Sequence, residues 1–573
     1  MPATTKETTC LLCSLCCPAG VAFGDYGLAT PAYPGYAAQQ QGLCFRGHYI
    51  SELISHPSRL DLATVREPDR VRTLAPAEAL RRVAALLPTL RDEVAVVIDG
   101  NLPCEELDAC VHATRGDLGL NRVTVFIPLA DEALLRGLAA APARRIGRDA
   151  LADCDVILAV GDPFATHPLV AGPVLEAVAK ARGHCLLNID SLRGRTARFA
   201  TDFCQVRPGG EPAALAGLLR LMGFAEAVPQ LSELDASRAA RMAGVPPAAL
   251  ERLAHALLRA ERLGVVLSLP EGRCGAASAA AALAAKVADA RAGGVCPLLT
   301  YGNAVGAWRT ASALKTQPLA SLLADIREGK VKKLIVLGTD LVAALPAAEL
   351  ASAEITLAAS PMPSATTARA RFVVPMALWF EIGGTALDGA VEQRRVQAAA
   401  APPGGALSAA AILRALGPRQ EEPRLEGEES AKLQAELSAI LGAAPEVALA
   451  DALGKPADWA PPAAQGRLLL VSRADSKGFA DGSMTTQLAW PALTEPRAVL
   501  LLSPQDAQGL PSAEATVRTD GLAVTLPVEA SADVPPGVAA VSPRFPETRA
   551  LFAWGERGVG PGLVSLEKSG GND

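Results

Sequence analysis

Asp153-Cys154-Asp155-Val156-Ile157-Leu158-Ala159-Val160-Gly161-Asp162-Pro163 is the stretch from which the fold is read. Asp155 to Val160 is a short, apolar, β-branched run, and it stops at Gly161-Asp162-Pro163, a turn composition that by itself is a weak signal. The pattern recurs upstream, where Val94 to Ile98 precedes Gly100 and Val123 to Ile127 forms another short strand. Helical stretches such as Glu176 to Arg182 and Pro212 to Leu221 lie between such runs. A second copy follows: Val331 to Leu337 ends in Gly338-Thr339-Asp340, and Ala353 to Ala358 is the next strand. Short apolar strands alternating with helices imply an α/β fold with parallel sheets wrapped by helices. Ligands of such sheets lie beyond the strand C-termini, where glycine lets backbone amides approach a phosphate and the next helix adds a favourable dipole.

The chain has 573 residues, enough for about four lobes. Half of it is hydrophobic and a fifth charged, so there is ample apolar surface for several cores and no case for global disorder. A net charge of −6 with no dense basic run lacks the footprint that nucleic-acid binding needs. The Ala-rich stretch Ala276 to Ala285 is too short to span a bilayer, and Lys286 and Asp289 follow it, so no membrane span is expected. Met1 to Cys10 has no hydrophobic signal core, which leads to the expectation of a cytoplasmic location.

Twelve cysteines are unevenly placed: Cys10, Cys13, Cys16 and Cys17 fall within eight residues, and Cys44 stands before Phe45-Arg46-Gly47. In a large cytosolic chain such a cluster points to metal rather than disulfides. Thiolates at C-x2-C-x3-C-x26-C (Cys10, Cys13, Cys17, Cys44) suit a [4Fe-4S] cluster, three from a tight loop and the fourth from a returning strand. Structural zinc and unligated core cysteines are the alternatives, zinc more often showing two separated C-x2-C knuckles. Cys16 competes with Cys17 in a C-x2-C-x2-C register, and spacing alone does not decide between them. Cys104, Cys110, Cys154, Cys185, Cys204, Cys274 and Cys296 sit singly in apolar segments and read as core.

The cysteine set, Cys44-x-Arg46-Gly47 and Glu52-Leu53-Ile54-Ser55-His56-Pro57-Ser58-Arg59-Leu60 together resemble the opening lobe of molybdopterin-dinucleotide oxidoreductases, the family of formate dehydrogenases and the complex I large subunit. The stretch 153–163, His167-Pro168, Leu186 to Asp190, Thr196 to Asp202, and Arg207-Pro208-Gly209-Gly210 follow in the family's order. So do Tyr301 to Ala307 with Asn303, Gly338-Thr339-Asp340, Thr366 to Pro375, Glu381-Ile382-Gly383-Gly384-Thr385 and Gln393 to Gln397. The resemblance implies an N-terminal iron–sulfur lobe (1–62), α/β dinucleotide-binding lobes (63–260 and 261–420), a linker with a helix (421–466) and a C-terminal β-barrel cap (467–573). Arg46 takes the place of the basic residue between cluster and pterin. Gly161, Asp162, Pro163, Asp190, Arg207, Gly209, Asn303, Gly338, Thr339, Asp340, Glu381 and Thr385 become candidate contacts of molybdopterin guanine dinucleotide. Asp190 is equally a strand-end cap. Ala398 to Glu429, rich in Ala, Pro and Gly and then in Glu, reads as surface linker.

One departure decides the functional expectation. Aligning Gly119-Leu120-Asn121-Arg122-Val123 with the family puts the molybdenum or tungsten ligand slot at Ala130, which has no lone pair to give. Asp131, next to it, is a candidate catalytic ligand or the N-cap of a helix from Glu132 to Leu138. The resemblance therefore implies an electron-transfer subunit that uses one [4Fe-4S] cluster, has lost its Mo/W ligand and works with an iron–sulfur or flavin partner subunit. The alternative is an active Mo/W-bis-molybdopterin guanine dinucleotide oxidoreductase such as a formate dehydrogenase.

Overall fold

A computed structural model describes residues 4–24, 29–32, 42–89, 91–418, 437–459, 466–475, 477–508, 510, 513–519, 521–555 and 558–568. The chain forms two compact units, each assembled from separated stretches: residues 1–127, 301–445 and 477–493 in the first, and 128–300, 446–476 and 494–573 in the second.

In the first unit Thr4–Thr9, Pro18–Phe23 and Ala29–Ala32 form a small antiparallel sheet. Its main sheet has seven strands, in the order Arg70–Leu74, Ala63–Glu67, Phe372–Pro375, Glu354–Ser360, Lys333–Leu337, Val94–Asp99 and Val123–Phe126. The last five are mutually parallel, and the hairpin 63–74 adds an antiparallel edge. Val94 to Ile98 and Leu334 to Leu337 are buried throughout, as strands covered on both faces must be.

This sheet changes the division into lobes. Val94–Asp99 and Val123–Phe126 were expected in a first lobe with Val156–Gly161, yet they pair with Lys333–Leu337 and with each other. Hydrophobic periodicity reveals that a strand exists, whereas its sheet is chosen by a crossover that sequence order does not specify. A second correction concerns the linker. Ala409–Leu416 is a helix capped by Ser408, with Ala409, Ala410, Ile412, Leu413 and Leu416 buried against helices Pro76–Leu86 and Cys104–His112. Its short apolar stripe was lost among the flanking Pro and Gly. The acidic run Glu421 to Glu429 and the first part of the expected helix Ala431 to Leu441 lie outside the described residues; 437–442 are helical.

In the second unit six parallel strands run in the order Asp202–Gln205, Cys185–Asp190, Val156–Gly161, Leu263–Ser268, Gly294–Pro297 and Arg144–Arg145. The Ala-rich stretch becomes helix Ala277–Asp289, nearly all buried against helices Leu129–Ala140 and Glu211–Leu221. Alanine suits it because small side chains allow close helix approach at high packing density. The C-terminal barrel closes in the order Leu468–Ser472, Val538–Val541, Leu500–Leu502, Ala523–Ala530, Glu514–Arg518 and Gly562–Lys568, around Leu470, Leu500, Leu502, Val517, Leu526 and Val541. Closure leaves no edge strand exposed. No helix among the described residues is long and apolar enough to cross a membrane.

Candidate functional site

The front cysteines occupy the turn between strands Thr4–Thr9 and Pro18–Phe23. Cys10 N–H donates to Cys17 O at 2.9 Å and Cys16 N–H to Cys13 O at 3.2 Å, closing a tight loop. Cys10 lies in electrostatic range of Cys13, Cys44 and Cys17, and burial together with those three thiols pushes its pKa well above the usual thiol value. Cys16, although also within electrostatic range of Cys13, Cys17 and Cys10, directs its thiol to a different partner. Its backbone is left-handed, with φ at 45°, and its thiol lies 3.1 Å from Gly302 O, near Asp388. Cys44 precedes helix Phe45–Ser55 as its N-cap residue, so the fourth thiol comes from a helix start and not from a returning strand. A helix N-terminus favours negative charge, which suits a bound anionic group.

Arg46, 4% exposed, lies beside Cys13, Cys44 and Cys10. Burial opposes its charge, but those thiols and a hydrogen bond to Cys44 outweigh burial and raise its pKa. The loop is braced from behind: Gly302 N–H donates to Leu11 O (3.1 Å) and to Asn101 Oδ1 (2.9 Å), and Asn101 Nδ2 donates to Leu11 O (3.0 Å). A Cβ at Gly302 would stand 2.5 Å from the Leu11 backbone, so only glycine fits there. No group of three or more His, Cys, Asp or Glu side chains among the described residues is arranged around a single ion. Thiolates of a cubane bind four different irons and stand farther apart than the ligands of one ion. The convergence of buried Cys10, Cys13 and Cys17 and half-buried Cys44 beside a cation fits such a cluster.

The strand-end motifs form a matched pair. Gly161 and Gly338 have φ of +87° and +88°, and Asp162 and Asp340 follow them. Asp162 accepts from Arg195 N–H, Thr196 N–H and the Thr196 hydroxyl at 2.7–2.9 Å. Asp340 accepts from Ala365 N–H, Thr366 N–H and the Thr366 hydroxyl at 2.7–3.1 Å. Each carboxylate thus caps, from about thirty residues away, the first two amides of a helix; in the second helix Ser364 caps the third, at Thr367 N–H. Pro163 opens the short helix Pro163–Thr166. At the first unit's strand ends, Asn101, Tyr301, Gly338, Thr339, Asp340, Met362, Phe479, Asp481 and Met484 line a cavity of about 50 Å³. That is room for water, against about 300 Å³ and more for typical ligand sites. This cavity as it stands is too small for a pterin dinucleotide.

Several of the other candidates are engaged with protein, while Arg207 Nε, Thr339 Oγ1 and Asp190 Oδ2 are buried without a hydrogen-bond partner. Asn303 Nδ2 donates to Leu102 O (2.6 Å) and its Oδ1 accepts from Leu387 N–H (2.9 Å). Glu381 forms a buried ion pair with Arg59 at 2.8 Å, and Thr385 N–H donates to Glu105. Arg207 is held through its backbone N–H on Ala243 O, and Gly209 has φ of +74°. Asp190 faces Arg273 at 3.5 Å; burial raises its pKa to about 6. Beside it stands Glu211, which the sequence reading passed over although it directly follows Arg207-Pro208-Gly209-Gly210. It is fully buried against the Cys274 thiol, and burial, with Asp190 nearby, lifts its pKa to about 8. Asp99 was missed too: burial raises it to about 6, and it bonds Tyr301, on which Phe479 stacks at 5.6 Å.

Ala130 and Asp131 lie in the first turn of helix Leu129–Ala140, both buried. Pro128 occupies the N-cap, so the capping reading of Asp131 fails; the helix starts three residues earlier than Glu132 because Pro128 presets its entry. Asp131 Oδ1 instead accepts from Thr300 N–H at 2.8 Å.

No protein-family model matches this chain, and no curated protein matches it. Among solved structures, acetylene hydratase from Pelobacter acetylenicus is similar, with a TM-score of 0.73 at 14% identity, over 98% of this chain and 100% of that one. At that identity the likeness is one of fold: the two chains share their mixed α/β architecture along almost their whole lengths.

Proposed function

We propose that the chain is an electron-transfer and scaffold subunit of molybdopterin-oxidoreductase type, with a [4Fe-4S] cluster on Cys10, Cys13, Cys17 and Cys44. The observation that carries this is the convergence of those four thiols, three of them buried, beside Arg46. When bound, the cluster supplies one-electron chemistry and no bond-making. The protein's own part is electrostatic and positional. Arg46 sets a fixed positive charge against the thiolates, and Asn101 and Gly302 hold the loop.

Turnover at molybdenum or tungsten is not part of this reading. Ala130 offers no ligand, Asp131 is bonded to Thr300, and a pterin dinucleotide would have to displace Phe479 and Met484 from the strand ends. Metal analysis of anaerobically purified protein tests it: iron near four per chain, with neither molybdenum nor tungsten at stoichiometric level, is expected. Cys13→Ala and Cys44→Ala should lose most of the iron and the broad visible absorption. Stoichiometric molybdenum or tungsten, with activity abolished by Asp131→Ala, would establish an active enzyme such as a formate dehydrogenase instead.

A further inference from the structure

The parallel strands of the first unit's main sheet end, on one side, near the Gly338-Thr339-Asp340 turn. At their opposite, N-terminal end a cavity of about 1050 Å³ opens onto the surface. It is bounded by the first residues of strands Glu354–Ser360 and Phe372–Pro375, by the hairpin 63–74 and by helix Pro76–Leu86. Arg66, Arg70, Arg82, Arg369 and Arg371 line it, against the carboxylates Glu67, Asp69 and Glu354. Some of these charges are already matched: Arg70 pairs with Glu67 at 3.0 Å, Arg82 with Glu78 on its own helix, and Glu354 with Lys333.

Arg66, Arg369 and Arg371 have no such carboxylate among the described residues. Arg66 Nη2 donates to Ala368 O at 2.7 Å and Arg369 Nη2 to Leu350 O at 3.1 Å, while Arg371 lies over the Phe372 ring, 5.5 Å from its centroid. Arg66 N–H donates to Arg371 O at 2.8 Å, so these two cations face each other across a strand pair. Like charges placed that way destabilise a sheet unless an anion neutralises them. The carbonyl bonds orient two of the guanidiniums and leave the rest of each donor fork open, and such forks take phosphate oxygens in pairs.

We propose that this cavity binds a small diphosphate, free or carried on a nucleotide, gripped by Arg66, Arg369 and Arg371. Even with Asp69 counted, five arginines against three carboxylates leave a surplus of two positive charges, more than a single carboxylate would neutralise. The separate forks of Arg66 and Arg371 seat two linked phosphoryl groups, and the volume admits a nucleotide as well as inorganic pyrophosphate. The site lies at the sheet end away from the Gly–Asp turn and does not depend on the cluster reading.

Calorimetric titration of the full chain with inorganic pyrophosphate tests this. One saturable site per chain is expected. Arg66 and Arg371 are exposed, so Arg66→Gln and Arg371→Gln should fold and should each weaken binding at least about tenfold. Arg81→Gln, on helix Pro76–Leu86 but outside the cavity, should leave binding unchanged. ADP that binds this site more tightly than pyrophosphate assigns the diphosphate to a nucleotide; weaker or absent ADP binding assigns it to the free ion. The proposal is overturned by the lack of saturable pyrophosphate binding, by an affinity indifferent to Arg371→Gln, by an equal loss in Arg81→Gln, or by succinate binding as tightly.

Discussion

Cys16 lies one residue from Cys17 but turns its thiol toward Gly302 O, a difference made by one left-handed backbone position. Cys16→Ala should therefore keep its iron and Cys17→Ala should lose it, as iron quantification will read. The reverse pattern would restore the C-x2-C-x2-C register. Arg46→Ala removes a cation beside the cluster, costing the reduced state on the order of 1 kcal/mol of stabilisation, and a redox titration should find the potential lowered. Glu211 gives a pH signature. Its folded pKa of about 8 exceeds its ordinary 4.5, so the folded state holds the extra proton between those values. Stability is greatest below about 4.5 from this group and falls as pH rises toward 8. Calorimetry should find a midpoint that drops by several degrees from about pH 6 to about pH 9, with a much smaller drop in Glu211→Gln. Spacing made the cysteines legible because ligand geometry constrains it. Glu211 was not legible, since its environment is made by Asp190, Arg273 and Cys274, remote in sequence.

At the level of elements, the two Gly–Asp strand ends are the same device built twice. Asp162→Ala or Asp340→Ala strands two helix amides and a buried hydroxyl, at a cost of about 2–4 kcal/mol each. Denaturant unfolding should register the loss, and hydrogen exchange should find the first amides of Arg195–Phe199 or Ala365–Arg369 deprotected. Normal protection in either variant would return that carboxylate to ligand binding. Strands 156–161 and 333–337 were legible from their β-branched runs and the glycines that end them. The roles of Asp162 and Asp340 were not, because Thr196 and Thr366 come about thirty residues later and nothing local marks them as partners. The helix at Ala409–Leu416 hid for the opposite reason: its stripe is too short to stand out from its Pro-rich flanks.

Across the whole molecule, the α/β class and the barrel were foreseen from periodicity and resemblance, whereas the allocation of strands to sheets was not. That allocation sets the order in which a ribosome can deliver a finished fold. Val94–Asp99 waits for Lys333–Leu337, which emerges more than two hundred residues later. At about 5–20 residues per second the wait lasts on the order of ten seconds or more. All six strands of the second sheet lie between Arg144 and Pro297 and are complete by then. A chain released after Thr300 should accordingly resist protease over residues 144–297 and be cut readily around residues 94–126. Uniform cleavage would mean that neither sheet forms early. During synthesis the apolar strand Val94–Asp99 is a nascent edge awaiting its neighbour, which makes this stretch the natural client of a chaperone.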